Sequence, residues 1–105
     1  MTDVRVCLCT VPSAEVGSEL ARGLVEARLA ACVNIVPGVR SVYRWKGEIQ
    51  DDAELLLIIK TTGGRFAAMR DWLLDAHPYD VPEVLALPVD AGADAYLAWV
   101  AESLD

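Results

Sequence analysis

The chain is poor in basic residues. Lys and Arg total nine against sixteen Asp and Glu in 105 residues, a formal net charge of −7. Nothing here can neutralise a row of phosphates, which argues against nucleic acid and anionic membranes as partners. Long apolar runs are also missing. Leu55 to Ile59 falls far short of the roughly 20 residues that cross a bilayer, and Met1-Thr2-Asp3-Val4-Arg5 has neither the basic cluster nor the apolar stretch of a signal peptide. The expected location is the cytoplasm. Cysteine is scarce, with only Cys7, Cys9 and Cys32 and no Cys-x-x-Cys spacing, as suits reduced thiols. Cys7 and Cys9, two strand rises or about 6.6 Å apart, sit at the strained limit for a disulfide. There is one histidine and one phenylalanine, no phosphate-loop spacing (Gly63-Gly64 is too short), and no legible nucleophile–base pair, so an enzyme is not expected.

What the chain has in excess is apolar side chains, 54% of the total, more than one modest core consumes. At this length residues 1–105 form one domain, and the surplus points to a subunit interface.

Period-two alternation over Val4, Val6 and Leu8 predicts a first strand, stopped at Pro12-Ser13. Ser13 is placed to cap a helix running to about Leu29, with Gly17, Leu20, Ala21, Leu24, Ala27 and Ala31 at helical spacing. Cys32 to Val36 is β-branched and extended, interrupted by Pro37-Gly38 and resumed at Val39. Val39 to Ile49 then passes through polar Gln50-Asp51-Asp52 into Ala53 to Thr61, which predicts a long hairpin; a two-residue loop would put Tyr43 and Trp45 on the face of Ile58 and Lys60, and a three-residue loop would reverse that parity. A second helix spans Arg65 to about Ala76, with Phe66, Met69 and Leu73 as its stripe. A fourth strand covers Glu83 to Val89, and a closing helix carries Ala93, Tyr96, Leu97, Val100 and Leu104.

The order β-α-β-β-α-β with an extra C-terminal helix is that of an α+β, ferredoxin-like sandwich. Two helices cover one face of a four-stranded sheet. Yet Leu55 to Ile59 is apolar at every position, so the second face also wants cover, and another copy of the chain is the available one.

The densest chemistry lies in His77-Pro78-Tyr79-Asp80-Val81-Pro82-Glu83, where two prolines stiffen a connector that holds the only histidine, a tyrosine and two carboxylates. This segment, with Leu29-Ala30-Ala31-Cys32-Val33-Asn34 and Tyr43-Arg44-Trp45-Lys46-Gly47-Glu48-Ile49, closely resembles the CutA divalent-cation tolerance family. Cys9-Thr10-Val11-Pro12, Ile59-Lys60-Thr61 and Tyr96-Leu97-Ala98-Trp99 also look like family positions in the right order. The resemblance covers nearly the whole chain. It implies a cytosolic homotrimer, similar in architecture to PII signalling proteins and associated with tolerance to copper and other divalent metals. The expectation is copper or another divalent transition metal bound without catalysis and not required for folding.

Soft ligands suit reduced copper, which singles out Cys9 and Cys32 in the family-like segments, together with His77 as an imidazole donor. Against this, free cysteines are commonly small buried hydrophobes, and His77 also stands where a helix would be capped. Lys60, ending an apolar strand, calls for an acidic partner, with Glu83 or Asp80 as candidates. Tyr43 and Trp45 serve either as interface anchors or, with Lys60, His77, Tyr79 and Glu83, as the lining of a small-ligand pocket across a subunit boundary. The alternatives to a copper-binding protein are therefore a PII-like small-ligand sensor or a trimeric scaffold.

Overall fold

The computed structural model describes residues 2–105 and has the expected α+β architecture: β1 (Val4–Val11), α1 (Ala14–Glu26), β2 (Cys32–Trp45), β3 (Glu48–Thr62), α2 (Gly63–Ala76), β4 (Leu85–Pro88) and α3 (Asp94–Ser103). The four strands form one antiparallel sheet in the order β2-β3-β1-β4.

Alternation sorts the sheet into two faces. Cys7, Cys9 and Val11 of β1 and Leu57 and Ile59 of β3 point under the helices and, with Leu24, Met69 and Leu73, are fully buried. Each such aliphatic side chain contributes about 1.5–3 kcal/mol by leaving water. The opposite face carries Leu8, Leu56, Ile58, Leu85 and Leu87, of which Leu85 and Leu87 remain about half exposed, at 53% and 48%. α3 packs on β3 and β1 and seals Val100 and Leu104.

α1 starts where expected, with the Ser13 hydroxyl accepting from the Val16 N–H at 3.2 Å. It stops three residues early. Arg28 takes a left-handed conformation (φ 58°), and the N–H groups of Arg28 and Leu29 turn back to the carbonyls of Val25 and Leu24, the double bond of a Schellman C-cap. Ala31, read from spacing as part of the helical stripe, instead donates to the Lys60 carbonyl and opens the sheet.

The largest correction concerns the hairpin. Its turn is Lys46-Gly47, both at positive φ (50° and 81°), as a two-residue type I′ turn requires, and not the polar Gln50-Asp51-Asp52. Those three residues are in β3, opposite Tyr43, Val42 and Ser41. They tolerate a strand because this outer arm has solvent around it, and because Arg40 donates twice to Asp51 (both 2.6 Å) and Tyr43 donates to Asp52 (2.6 Å). The loop has two residues, so Tyr43 and Trp45 do share the face of Ile58 and Lys60. A bulge between Val36 and Val39, with Gly38 at φ 77°, restores that parity across Pro37. β4 is also shorter than the expected Glu83 to Val89.

Candidate functional site

His77 is the C-cap of α2, its N–H donating to the Leu73 carbonyl at 2.8 Å. From there the ring is fixed twice. Nε2 lies 2.8 Å from the Thr10 carbonyl of β1, and Nδ1 accepts the Tyr79 N–H at 3.1 Å, which assigns the proton to Nε2. The ring is buried (6% exposed) and packs on Tyr79 with centroids 4.7 Å apart. His77 is thus a peg that ties the connector to β1 and aims Tyr79.

Tyr79, so aimed, donates its phenol to Glu54 Oε2 at 2.6 Å. Burial first, then this bond and the surrounding negative charge, hold the phenol in its protonated form well above its ordinary range. Glu54 sits on β3 where the outer hairpin arm meets the buried sheet, and only 7% of it is exposed. No salt bridge among the described residues involves it, and its Oε1 has no hydrogen-bond partner there. Among the described residues no fully sealed side-chain oxygen lacks a partner, and Glu54 lines the adjoining space, onto which Oε1 opens.

That space is a cavity of about 720 Å³ between the hairpin arm and the 78–83 connector. Tyr43, Trp45 and Tyr79 supply aromatic walls; Glu54, Asp80 and Glu83 supply carboxylates; among the described residues no Lys, Arg or His lines it. The size is that of a small-molecule site. Residues of the hairpin and the connector of one chain line it.

Of the six residues expected to line a pocket, Tyr43, Trp45, Tyr79 and Glu83 do so. His77 stands behind the wall, with both ring nitrogens engaged. Lys60 is elsewhere: its Nζ bonds to Asn34 Oδ1 on the neighbouring strand, and the expected pairing with Glu83 or Asp80 is not made. The reason is register, since Cys32 and Lys60 are paired and Asn34 is the next same-face residue, while the connector lies toward the other end of β3.

The proposed metal donors do not converge. Cys9 is fully buried under the helices, and its Sγ has the Thr10 carbonyl at 3.7 Å. Burial, then the charges of Glu83 and Glu54, push its thiol up to about 12, and burial pushes Cys7 up to about 11 against the pull of Arg5. Cys32 is half-buried on the opposite face of the sheet. Among the described residues, no group of three or more His, Cys, Asp or Glu is placed to hold a metal ion. Within one chain, Cys9, Cys32 and His77 do not fit a shared metal. All three cysteines are free, as expected of reduced thiols.

Sequence reasoning missed Glu54 as a lining residue and took Asp80 only as a candidate partner of Lys60. The available signal was a lone carboxylate immediately before the apolar run of β3, which is where a strand enters the dry part of a sheet.

Comparison with known proteins agrees with the fold. The family described as CutA1 divalent ion tolerance protein matches residues 5–103. The "Divalent-cation tolerance protein CutA" of Thermus thermophilus is 53% identical over 98 residues, covering 93% of this chain and 95% of that one. A solved structure from the same organism superposes with a TM-score of 0.93 at 52% identity, over 95% and 97% of the two chains. The "Protein CutA, chloroplastic" of Arabidopsis thaliana is 50% identical over 93% of this chain, which spans only 54% of the plant protein. A structure from Archaeoglobus fulgidus, described as a periplasmic divalent cation tolerance protein CutA, superposes at 0.94 with 35% identity over 97% and 99%. These descriptions name different compartments. In this chain, among the described residues, no helix is long and apolar enough to cross a membrane. The chain belongs to the CutA1 divalent ion tolerance family.

Proposed function

We propose that this protein takes part in the response to divalent metal ions as a non-catalytic, cytoplasmic homotrimer, and that it does so by binding a ligand in the cavity between hairpin and connector. The observation that carries this reading is Glu54: a carboxylate 93% removed from solvent, with no cation within 4.0 Å among the described residues, opening onto an aromatic-walled cavity. Its Oε1 meets no donor among the described residues, so a bound cation would give that oxygen the partner the chain does not supply. The role in divalent-ion tolerance is supported by relatives that are named for it, such as the divalent-cation tolerance protein of Thermus thermophilus. The half-exposed Leu85 and Leu87 of the open sheet face support self-association, and free thiols support a reducing compartment.

Copper held by Cys9 and Cys32 has the weaker geometry. A thiolate is the metal ligand, and Cys9 is sealed and held protonated. The test is a thermal-shift series on the native oligomer with divalent chlorides, amines, carboxylates and phosphates. At least one class should raise Tm in a saturable way, the shift being lost in Trp45→Leu or Glu54→Gln and kept in the double variant Cys9→Ser, Cys32→Ser. No shift with any class, or a shift lost only on removing the thiols, overturns the cavity. Sedimentation should give three times the 11.4 kDa chain mass.

A further inference from the structure

The chemistry of the walls restricts what the cavity can hold, given the ligand-binding reading above. Its charged groups are all of one sign, Glu54, Asp80 and Glu83, and the chain as a whole carries −7, so the field at the site repels anions. A bare divalent ion fits poorly. It needs several oxygens within about 2.0–2.6 Å of one point, and no group of carboxylates so placed exists among the described residues, while the cavity of about 720 Å³ is lined by Tyr43, Trp45 and Tyr79 as well as by carboxylates. Aromatic rings and carboxylates in one lining suit a different cation. Ring quadrupoles attract an ammonium and the hydrocarbon beside it, and a carboxylate oxygen with a free lone pair, Glu54 Oε1, accepts from its N–H.

We propose that the cavity binds an aliphatic diamine or polyamine, with one ammonium donating to Glu54 and its methylene stem lying against Trp45 and Tyr43. Asp80 and Glu83 meet the further ammonium groups. Two features of the structure carry this independently: the buried, cation-free carboxylate, and an aromatic wall left about 40% exposed at Tyr43 (42%) and Trp45 (41%). Tyr79 contributes by holding Glu54, its phenol already donating to Oε2 and leaving Oε1 for the ligand.

The experiment titrates 1,4-diaminobutane, its uncharged isostere 1,4-butanediol, tetramethylammonium and manganese(II) chloride into the full chain in its native oligomeric state, by calorimetry at low salt. The diamine should bind at least tenfold more tightly than the diol and than tetramethylammonium, which lacks N–H donors. Glu54→Gln and Trp45→Leu should each lose tenfold or more with the sedimentation profile unchanged. Equal binding of diamine and diol, or diamine binding indifferent to both substitutions, overturns the proposal. Manganese binding that depends on Glu54 and excludes the diamine overturns the amine assignment but leaves the cavity as the ligand site. Absence of binding by all four probes overturns both.

Discussion

Replacing Tyr79 by Phe removes one oxygen and leaves the ring that packs on His77, so it isolates the bond to Glu54. The bond is short, 2.6 Å, and its acceptor is a carboxylate only 7% exposed with no ion-pair partner among the described residues. A hydrogen bond to a charged group is worth about 1.5–3 kcal/mol, and removing one partner also strands the desolvated oxygen. Partial access of Glu54 to the cavity lets water replace some of the loss, which places the expected cost near 2 kcal/mol. Urea unfolding at pH 7 and fixed protein concentration measures it, with the slope on denaturant unchanged. In the double variant Tyr79→Phe, Glu54→Gln, the two losses should fall short of their sum by about 1 kcal/mol or more, because the second substitution removes the group stranded by the first. A Tyr79→Phe cost below about 0.5 kcal/mol, the range of ordinary surface substitutions, or strict additivity in the double variant, would refute the claim that this bond organises the site.

Gly23→Ala should destabilise the protein by about 1 kcal/mol although alanine gains about that much in helix propensity, because overpacking costs more; its Cβ would stand 2.6 Å from two carbons of the Trp72 ring, and a more stable variant in thermal unfolding would show the ring moves freely. Gly47→Ala should cost about 1–2 kcal/mol, since residue 47 sits at φ 81°, and hydrogen exchange should quicken in the hairpin arm before the sheet; uniform exchange would contradict a local turn effect. Stability should fall at alkaline pH. The thiols of Cys7 and Cys9 are raised from the ordinary 9.0 to about 11 and about 12, so the folded state holds protons the unfolded state releases, and the contribution is complete below pH 9 and lost between 9 and 12. Cys9→Ala should flatten that slope, and an unchanged slope would mean the thiol is not the titrating group. At pH 8 a thiol reagent should reach no more than one cysteine per native chain and all three on unfolding, since Cys7 and Cys9 are fully buried. Rapid modification of two or more in the native protein would contradict the packing.

The element order and the stripes of α1 and α2 were legible because the stripes rest on a period read over many residues, Gly17, Leu20, Ala21 and Leu24 in one helix and Met69 with Leu73 in the other. The strand order and the face of β1 that is buried were not, since Val4, Val6 and Leu8 looked the more apolar set while Cys7, Cys9 and Val11 pack under the helices. Element ends were also less legible. Arg28 terminates α1 in a conformation that usually calls for glycine, and no local preference announces it. The hairpin turn was misread because Gln50-Asp51-Asp52 looks more turn-like by polarity than Lys46-Gly47, while backbone twist selects the pair that accepts positive φ. At the site, Tyr43, Trp45, Tyr79 and Glu83 were found as chemistry-bearing residues in stiff segments. Lys60 and Glu54 were in effect exchanged: a cation was expected where a carboxylate lies. Side-chain type on β3 was visible, but the end of the strand that meets the connector depends on pairing between residues far apart in the chain, such as Thr10 with Leu56.

The central claim is that ligand binds in the cavity one chain builds between its hairpin and its connector. The most direct measurement is an amide and indole nitrogen–proton NMR map of the isotope-labelled native protein, titrated with 1,4-diaminobutane. The account predicts saturable shifts at the Trp45 indole and at the backbone of Glu54, Tyr79, Asp80 and Glu83, with Cys32 and α3 unmoved. Shifts centred on Cys9 and Cys32, or none that saturate, would contradict it.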